Sequence, residues 1–208
     1  MRNYRLAERC QHILTDAGHR NHGMVPSPRG DSEHKDMPTS DESKRTYKHL
    51  MTSTPAIIGL ISDTHGLLRS EAVEALRGSQ AIIHAGDVGR EEILRELEKI
   101  APVTAVRGNI DTSAWSRKLP ATNVLEIAGT SIYVLHNIDE LDLDPGSAAF
   151  SAVIFGHSHR PLLENRKGVL FFNPGSAGPR RFNLPISVGR LVIENANLAS
   201  ELITLTGS

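Results

Sequence analysis

Cysteine is almost absent from this sequence, as are long apolar runs and an excess of charge of either sign. The 208 residues include one cysteine, Cys10, which excludes an intramolecular disulfide and fits a reducing compartment. No apolar run approaches the roughly 18 to 20 residues of a membrane span, and the first residues lack the apolar core of a secretory signal. The net charge of -1 gives no reason to expect a nucleic-acid surface or a polybasic membrane patch. We therefore expect a cytoplasmic protein with no membrane partner and no specific nucleic-acid binding.

Aliphatic residues are also scarce in the first quarter of the chain. The stretch from His19 to His49 is dense in charge, serine, proline, glycine and histidine. Such a segment buries too little apolar surface to offset the cost of ordering its backbone, about 1 to 2 kcal/mol per residue. We interpret residues 1–54 as a disordered N-terminal extension and residues 55–208 as one folded domain. Because Met51 stands just before the first apolar run, we also hypothesise that residues 1–50 are dispensable or reflect a start assigned too early.

Short apolar runs separated by polar loops begin at Ala56. The runs AIIGLIS (56–62), AIIHAG (81–86) and VTAVRG (103–108) are β-branched and apolar on both faces, which is typical of buried parallel strands. Amphipathic segments at 70–78 and 90–100 lie between them, and a candidate capping residue, Ser70, begins the first segment. Runs at 123–136, 152–159, 162–176 and 186–205 favour hairpins and one more buried strand. The sequence thus predicts an α/β fold with mixed strand directions and two packed sheets.

Polar side chains follow five of these apolar runs at the point where each run ends. They are Asp63 and His65, then Asp87, Asn109, His136, and finally His157 with His159. Since the carboxyl ends of parallel strands line one crevice of an open α/β sheet, these side chains could meet in one place. Taken singly, each has a simpler interpretation. Asp63 and His65 could form a turn or a buried hydrogen-bonded pair, and His136 could be a satisfied core residue.

A divalent metal ion explains the seven residues together. Without a cation, so many imidazoles and carboxylates would leave buried polar groups unpaired, at about 1 to 3 kcal/mol each. Imidazole, carboxylate and amide ligands without a thiolate suit Mn²⁺, Fe²⁺, Ni²⁺ or Zn²⁺, of which we expect Mn²⁺. Seven ligands exceed the need of one such ion and suit two ions that share a carboxylate.

The same residues, in their order along the chain, resemble the motifs of a known family. DTH (63–65), GD (86–87), GNID (108–111), the isolated His136 and GHSH (156–159) are similar to the boxes of the calcineurin-like metallophosphoesterase superfamily. The GNID box resembles in particular its small prokaryotic phosphodiesterase branch. The resemblance runs from Ala56 to the C-terminus, and it implies a two-sheet β-sandwich flanked by helices in four layers.

The resemblance also implies a role for each motif. The first metal ion would be held by Asp63, His65 and His159, the second by Asn109, His136 and His157, and Asp87 would bridge the two ions. A hydroxide between the ions would attack the phosphorus in line. Asn109 would also be catalytic, because its amide nitrogen can donate to a phosphate oxygen of the substrate.

The implied function is hydrolysis of a small phosphoester, with a phosphodiester as the expected substrate. A phosphomonoesterase, a nucleotide pyrophosphatase and a non-catalytic, protein-binding scaffold of the same fold are the alternatives. A homo-oligomer is compatible with each of these functions.

Two positions depart from the family's motifs. Ile110 stands where many relatives carry a histidine that assists the leaving group, and its presence favours either esters with good leaving groups or a different, unassigned acid. Asn137 stands where a glycine is usual, and we expect it to alter access to the second metal ion.

Four further features carry weaker expectations. Arg107 is a candidate phosphate contact, although an exposed arginine at a strand end is the simpler interpretation. Asp111 and His84 could orient metal ligands, or they could be a cap and a buried hydrogen-bonded residue. The NPGS loop (173–176) is expected to support the metal site without taking part in chemistry.

Overall fold

The computed structural model of the protein describes residues 54–181 and 183–206. The expectations for residues 1–54 therefore fall, except for the last residue, outside the described part of the chain. The strands are β1 (Ala56–Ile61), β2 (Ala81–His84), β3 (Val103–Ala105), β4 (Thr122–Ile127), β5 (Thr130–Leu135), β6 (Ala152–Ile154), β7 (Leu162–Arg166), β8 (Val169–Asn173), β9 (Ser187–Glu194) and β10 (Asn197–Thr204). The helices are α1 (Ser70–Leu76) and α2 (Glu91–Glu98), with 3-10 turns at Ser116–Lys118 and Ile138–Glu140. No helix in this described part is long and apolar enough to cross a membrane.

The strands form two mixed, five-stranded sheets. The first sheet has the order β10-β9-β1-β2-β3, and the second has the order β4-β5-β6-β8-β7. Strands β1, β2 and β3 run parallel, while β9 pairs with β1 in the antiparallel direction. In the second sheet β5, β6 and β8 run parallel, between the antiparallel edge strands β4 and β7. The predicted mixture of strand directions and the predicted pair of sheets are both confirmed.

An apolar core fills the space between the sheets. Ile58, Leu60 and Ile83 contribute to this core from the first sheet, and Ile154 and Phe172 contribute from the second. The neighbouring residues of β1 and β2 point to the opposite face, because successive side chains alternate along a strand. Both faces of these strands are therefore buried, which explains their continuous apolar sequence.

The outer faces of the two sheets are covered differently. Helices α1 and α2 pack on the first sheet, where Leu76 and Leu97 join the cluster that contains Ile61 and Ile82. The outer face of the second sheet, which includes Tyr133, is covered by apolar residues of segment 138–150. The architecture thus has four layers, and the fourth layer contains a single 3-10 turn.

One predicted detail of the helices is wrong. Ser70 is the first residue of α1 and does not cap it, because Arg69 occupies the N-cap position without a side-chain hydrogen bond to the helix. The Ser70 hydroxyl instead donates to the exposed carboxylate of Glu71, at 3.0 Å. The amphipathic pattern predicted at 90–100 is confirmed, since Ile93, Leu94 and Leu97 are buried and Ile100 packs against the same cluster.

Candidate metal centre

The seven residues singled out in the sequence lie together at the carboxyl ends of five strands. Asp63 and His65 follow β1, Asp87 follows β2, Asn109 follows β3, His136 follows β5, and His157 and His159 follow β6. The packing of the two sheets places the ends of β1 to β3 beside the ends of β5 and β6. A continuous series of contacts shorter than 4 Å links all seven side chains.

The first group of polar atoms lies between β1 and β6. Nε2 of His65 is 3.2 Å from Nε2 of His159, and Oδ1 of Asp63 is 3.3 Å from the same His159 nitrogen. These three ligand atoms all lie within 4.8 Å of one another and could hold a metal ion. Burial lowers the pKa of His65 against the opposing effect of Asp87, and the positive charge of Arg181 lowers it further. The His65 ring can therefore present an unprotonated nitrogen to a cation.

Asp63 uses its two carboxylate oxygens differently. Its Oδ2 accepts hydrogen bonds from the Ser62 hydroxyl, at 2.6 Å, and from the His157 backbone N–H, at 3.1 Å. Its Oδ1 is buried and has no hydrogen-bond partner among the described residues. A buried carboxylate oxygen without a donor is costly, and a cation bound between Asp63, His65 and His159 removes that cost.

The second group of polar atoms lies between β3 and β5. Nδ1 of His136 donates to the backbone carbonyl of Ala85, at 2.8 Å, so the neutral ring exposes an unprotonated Nε2. That nitrogen lies 3.1 Å from Oδ1 of Asn109 and 3.4 Å from Oδ1 of Asp87. With the ring neutral, three acceptors converge on one point, which favours a positive charge there, either a proton on Nε2 or a metal ion. The pKa of His136 is raised for the same reason, since Asp87 and the Ala85 carbonyl outweigh the effect of burial.

Asp87 faces both groups. Its Oδ2 is 3.7 Å from Nε2 of His65, while its Oδ1 is 3.4 Å from Nε2 of His136. Burial opposes ionisation of Asp87, but the neighbouring His136 and the backbone N–H of Ile110 lower its pKa. By distance alone Asp63 belongs to both possible ligand groups, with Asp87 and His136 in the second. Asp87 is the better candidate for a shared ligand, because one of its oxygens lies near His65 and the other near His136.

His157 and Arg107 complete the open side of the second group. Nδ1 of His157 is 3.0 Å from Oδ1 of Asn109. His157 and Asn109 are exposed, whereas Asp63, Asp87, His136 and His159 are at least 94% buried. Arg107 lines a cavity next to Asn109, His136 and His157. The site therefore has a buried floor and an accessible rim.

The backbone is strained at most of these positions. Asp63, His65, Asp87, His157 and His159 all have positive φ angles, between 47° and 67°. Residues other than glycine rarely adopt this left-handed conformation, and such residues cluster at functional sites. The surrounding packing must therefore hold these loops in a conformation that residues other than glycine adopt only occasionally.

Two glycines allow neighbouring loops to approach the carboxylates. A Cβ atom at Gly108 would overlap the backbone and side chain of Asp87, and one at Gly156 would lie 2.7 Å from Oδ2 of Asp63. The NPGS loop also contacts both ligand-bearing loops. Ser176 donates its hydroxyl to the Asp63 carbonyl at 2.9 Å, and Asn173 donates its amide to the Gly156 carbonyl at 2.7 Å.

Asp111 and His84, for which the sequence left two interpretations open, form structural hydrogen bonds. The Asp111 carboxylate accepts from three backbone N–H groups, those of Val88, Gly89 and Gly108. Nε2 of His84 is 3.0 Å from the Thr64 hydroxyl, which donates to the Val88 carbonyl. Both residues thus brace the loops that carry Asp63 and Asp87.

Sequence reasoning missed Ser62 and Glu140. Ser62 donates to Asp63, and its position directly before the DTH box was the available signal. Glu140 lines the same cavity as Arg107. No motif indicated this, because Glu140 lies on a single 3-10 turn, and such a turn leaves no recognisable pattern in the sequence.

Comparison with known proteins identifies the family to which the chain is similar. Residues 57–196 match the family model described as the calcineurin-like phosphoesterase superfamily domain. A probable metallophosphoesterase of Methanothermobacter thermautotrophicus is 34% identical over 71% of this chain and 91% of that protein. A phosphodiesterase of Escherichia coli K12 is 26% identical over 62% of this chain and 84% of that protein.

A solved structure of vacuolar protein sorting 29 from Cryptosporidium parvum has the same fold. It superposes with a TM-score of 0.59 at 21% sequence identity, over 73% of this chain and all of the other. The fold alone is therefore shared with a protein whose name refers to sorting and not to hydrolysis, so the site must carry the functional argument.

Proposed function

The chain belongs to the calcineurin-like phosphoesterase superfamily, and from that membership we propose that it is a metal-dependent phosphodiesterase with two metal ions in its site. The substrate would be a small phosphodiester. The relatives named metallophosphoesterase and phosphodiesterase support the reaction class. The proposal for the number of ions and for the ligands depends on the geometry of the site.

The ligands fall into two sets around Asp87. Asp63, His65 and His159 would hold one ion, and Asn109, His136 and His157 would hold the other. Asp87 would contact both ions, since its two oxygens face the two sets. Mn²⁺ suits this mixture of imidazole, carboxylate and amide groups, which offers no thiolate to a softer metal.

The observation that carries the proposal is the convergence of acceptors on two points. At one point the unpartnered Oδ1 of Asp63 faces two imidazole nitrogens. At the other, Nε2 of His136 faces the oxygens of Asn109 and Asp87. Two acceptors repel each other at about 3 Å unless a positive charge lies between them. Two separate points of this kind suggest two cations.

When bound, two divalent ions activate a water molecule and neutralise the charge that develops on the phosphoryl oxygens. The protein's own groups would orient the substrate. Because Oδ1 of Asn109 faces His136 and His157, its Nδ2 is directed away from them and can donate to a phosphate oxygen. Arg107 lies at the same rim and can add a second donor. Ile110, at 41% exposure, provides no proton for the leaving group, so esters of acidic alcohols should react fastest.

Three further expectations belong to this proposal. Residues 55–208 would form one metallophosphoesterase domain. The protein would act in the cytoplasm on a small phosphoester, without a specific nucleic-acid partner. A homo-oligomer is compatible with the site, whose seven ligands all come from one chain.

A chromogenic diester tests the proposal. The purified protein should hydrolyse bis(p-nitrophenyl) phosphate with Mn²⁺, and chelation should abolish the activity. Replacing Asn109 by alanine should lower kcat by at least about 100-fold, the range typical for loss of one group that stabilises the transition state. Replacing Asp87 by alanine should remove activity altogether, whereas the exposed Asp142→Ala should behave as wild type.

Two results would contradict this function. If Asp87→Ala folds, as judged by circular dichroism, and still hydrolyses the diester, then the site is not catalytic. If the wild-type protein binds Mn²⁺ but hydrolyses neither diesters, monoesters nor nucleotide diphosphates, then the scaffold alternative would replace hydrolysis.

A further inference from the structure

A small cavity opens on the side of the site formed by Asn109, His136 and His157. Its volume is about 200 Å³, and its other walls include Arg107, Asn137 and Glu140. Sites for drug-sized ligands usually measure roughly 300 to 1,000 Å³, so this cavity suits a smaller chemical group. Its direct contact with three of the proposed ligands places that group next to the reacting phosphate.

The cavity is lined by one positive and one negative side chain, Arg107 and Glu140. Within residues 54–181 and 183–206, neither the guanidinium of Arg107 nor the carboxylate of Glu140 forms an ion pair or a side-chain hydrogen bond. Two opposite charges that line one cavity without pairing are available to a ligand that presents both signs.

The position of Glu140 is set by a short ordered turn. Glu140 is the last residue of the 3-10 turn Ile138–Glu140, and its backbone N–H donates to the Asn137 carbonyl at 3.0 Å. The side chain of Asn137 caps this turn by accepting from the Asp139 N–H, at 3.1 Å. Since Asn137 directly follows His136, the turn fixes Glu140 relative to a proposed metal ligand. Asn137 is thus a positioning residue for the cavity.

We propose that this cavity selects phosphodiesters in which one ester group is a small amino alcohol. The inference rests on the function proposed above. Arg107 would donate to a phosphate oxygen, and Glu140 would accept from the ammonium group at the far end of the alcohol. The complementary ligand is therefore a zwitterionic phosphodiester, whose negative phosphate and positive amine match the two charges of the cavity.

A pair of isosteric substrates tests this selection. In aminoethyl p-nitrophenyl phosphate and propyl p-nitrophenyl phosphate, the terminal ammonium of one replaces the terminal methyl of the other, and both release p-nitrophenolate. The wild-type protein loaded with Mn²⁺ should favour the aminoethyl ester in kcat/KM by roughly 10- to 100-fold, the range of a charge-assisted hydrogen bond. Glu140→Gln should remove this preference by lowering kcat/KM for the aminoethyl ester alone.

Three further variants separate the roles. Arg107→Gln should lower kcat/KM for both esters, because both contain the phosphate that Arg107 contacts. Asn137→Ala should weaken the preference without abolishing hydrolysis of the propyl ester, since it loosens the turn and leaves His136 in place. The matched control is Glu98→Gln, an exposed glutamate at the end of α2, which should leave both rates unchanged.

Binding gives a second readout that does not depend on turnover. By titration calorimetry, aminoethyl phosphate should bind the wild-type protein more tightly than propyl phosphate, and Glu140→Gln should make the two affinities equal. If wild type hydrolyses both esters equally, or if Glu140→Gln keeps the preference, the selection is wrong while the hydrolytic function stands. If wild type hydrolyses neither ester, both the function and the inference fall.

Discussion

At the scale of single residues, His84 shows how one buried side chain supports the site without joining it. The ring is fully buried at the end of β2, where its Nε2–H donates to the Thr64 hydroxyl and its Nδ1 has no partner among the described residues. Burial lowers the pKa of His84 to about 4, although Asp111 and Asp63 act in the opposite direction. The native protein therefore holds this histidine neutral.

A dependence of stability on pH follows from the lowered pKa of His84. Between pH 6.5 and about 4 the unfolded chain binds a proton at this histidine and the native protein does not, so the free energy of unfolding falls as the pH falls. The loss should approach about 3 kcal/mol, since one pKa unit corresponds to about 1.4 kcal/mol. Urea unfolding of wild type and His84→Gln in chelator, at several pH values in this window, measures it.

Wild type and His84→Gln share every other titrating group. The difference between their two stability curves therefore reports on His84 alone. His84→Gln retains an N–H donor for Thr64 but cannot titrate, so its stability should decline less steeply with acid than that of wild type. Parallel curves for the two proteins would mean that His84 has the same pKa in the native and unfolded states.

At the scale of elements, the loops after β2 and β3 are joined by one carboxylate. Asp111 accepts from Val88 and Gly108 through Oδ2, at 3.1 and 2.9 Å, and from Gly89 through Oδ1, at 2.9 Å. These loops carry Asp87 and Asn109. The positions of the proposed ligands Asp87 and Asn109 therefore depend on Asp111, which is not itself a proposed ligand.

Replacing Asp111 by asparagine should loosen both loops. An amide group has one acceptor oxygen, so at least one of the three N–H groups would face an NH₂ group. A buried donor without a partner costs about 1 to 3 kcal/mol, and we expect a loss of stability in that range by urea unfolding. Affinity for Mn²⁺ should fall as well, as is common when groups that orient metal ligands are removed.

The exposed Asp142→Asn is the matched control for Asp111→Asn and should change neither quantity. An Asp111→Asn protein with the stability and the Mn²⁺ affinity of wild type would show that the two loops are held by other contacts.

Sequence patterns predicted the elements well and their ends less well. The runs at 56–62 and 81–86 form β1 and β2. A strand whose two faces both carry β-branched, apolar residues is stable when it is buried between two layers. Ser70 failed as a predicted cap because the chain enters α1 in an extended conformation at Arg69, one residue earlier. The cap of the 3-10 turn by Asn137 was not predicted, since no periodic pattern marks a single turn.

At the scale of the whole molecule, backbone strain and repulsion between acceptor atoms at the site lower the free energy of unfolding, while the packed core raises it. Five of the seven proposed ligands have positive φ angles, each at a cost on the order of 1 to 3 kcal/mol. The converging acceptors add repulsion in the absence of a cation. Bound metal ions should therefore stabilise the native protein as a whole.

Mn²⁺ should raise the thermal midpoint of unfolding. At a free concentration 100 times the dissociation constant, a ligand of the native state adds about 2.7 kcal/mol. For a chain of this size that corresponds to a rise of roughly 5 to 10 °C. Calorimetric scans with Mn²⁺ and with chelator measure the shift.

Asp87→Asn should lose most of this shift, because the shared carboxylate would be gone, while Asp142→Asn should retain it. An equal shift in Asp87→Asn would place the stabilising ion elsewhere on the chain.

The sequence by itself determined the fold class, the order of the motifs and the identity of the seven candidate ligands. It could do so because burial on both faces restricts a strand to apolar residues, which makes the polar residues at strand ends conspicuous. Only the tertiary structure decided which oxygen of Asp63 lacks a partner among the described residues, which histidine each oxygen of Asp87 approaches, and that Glu140 lines the same cavity as Arg107. Those relations depend on distances between residues far apart in the chain, and such distances exist only once the two sheets have packed together.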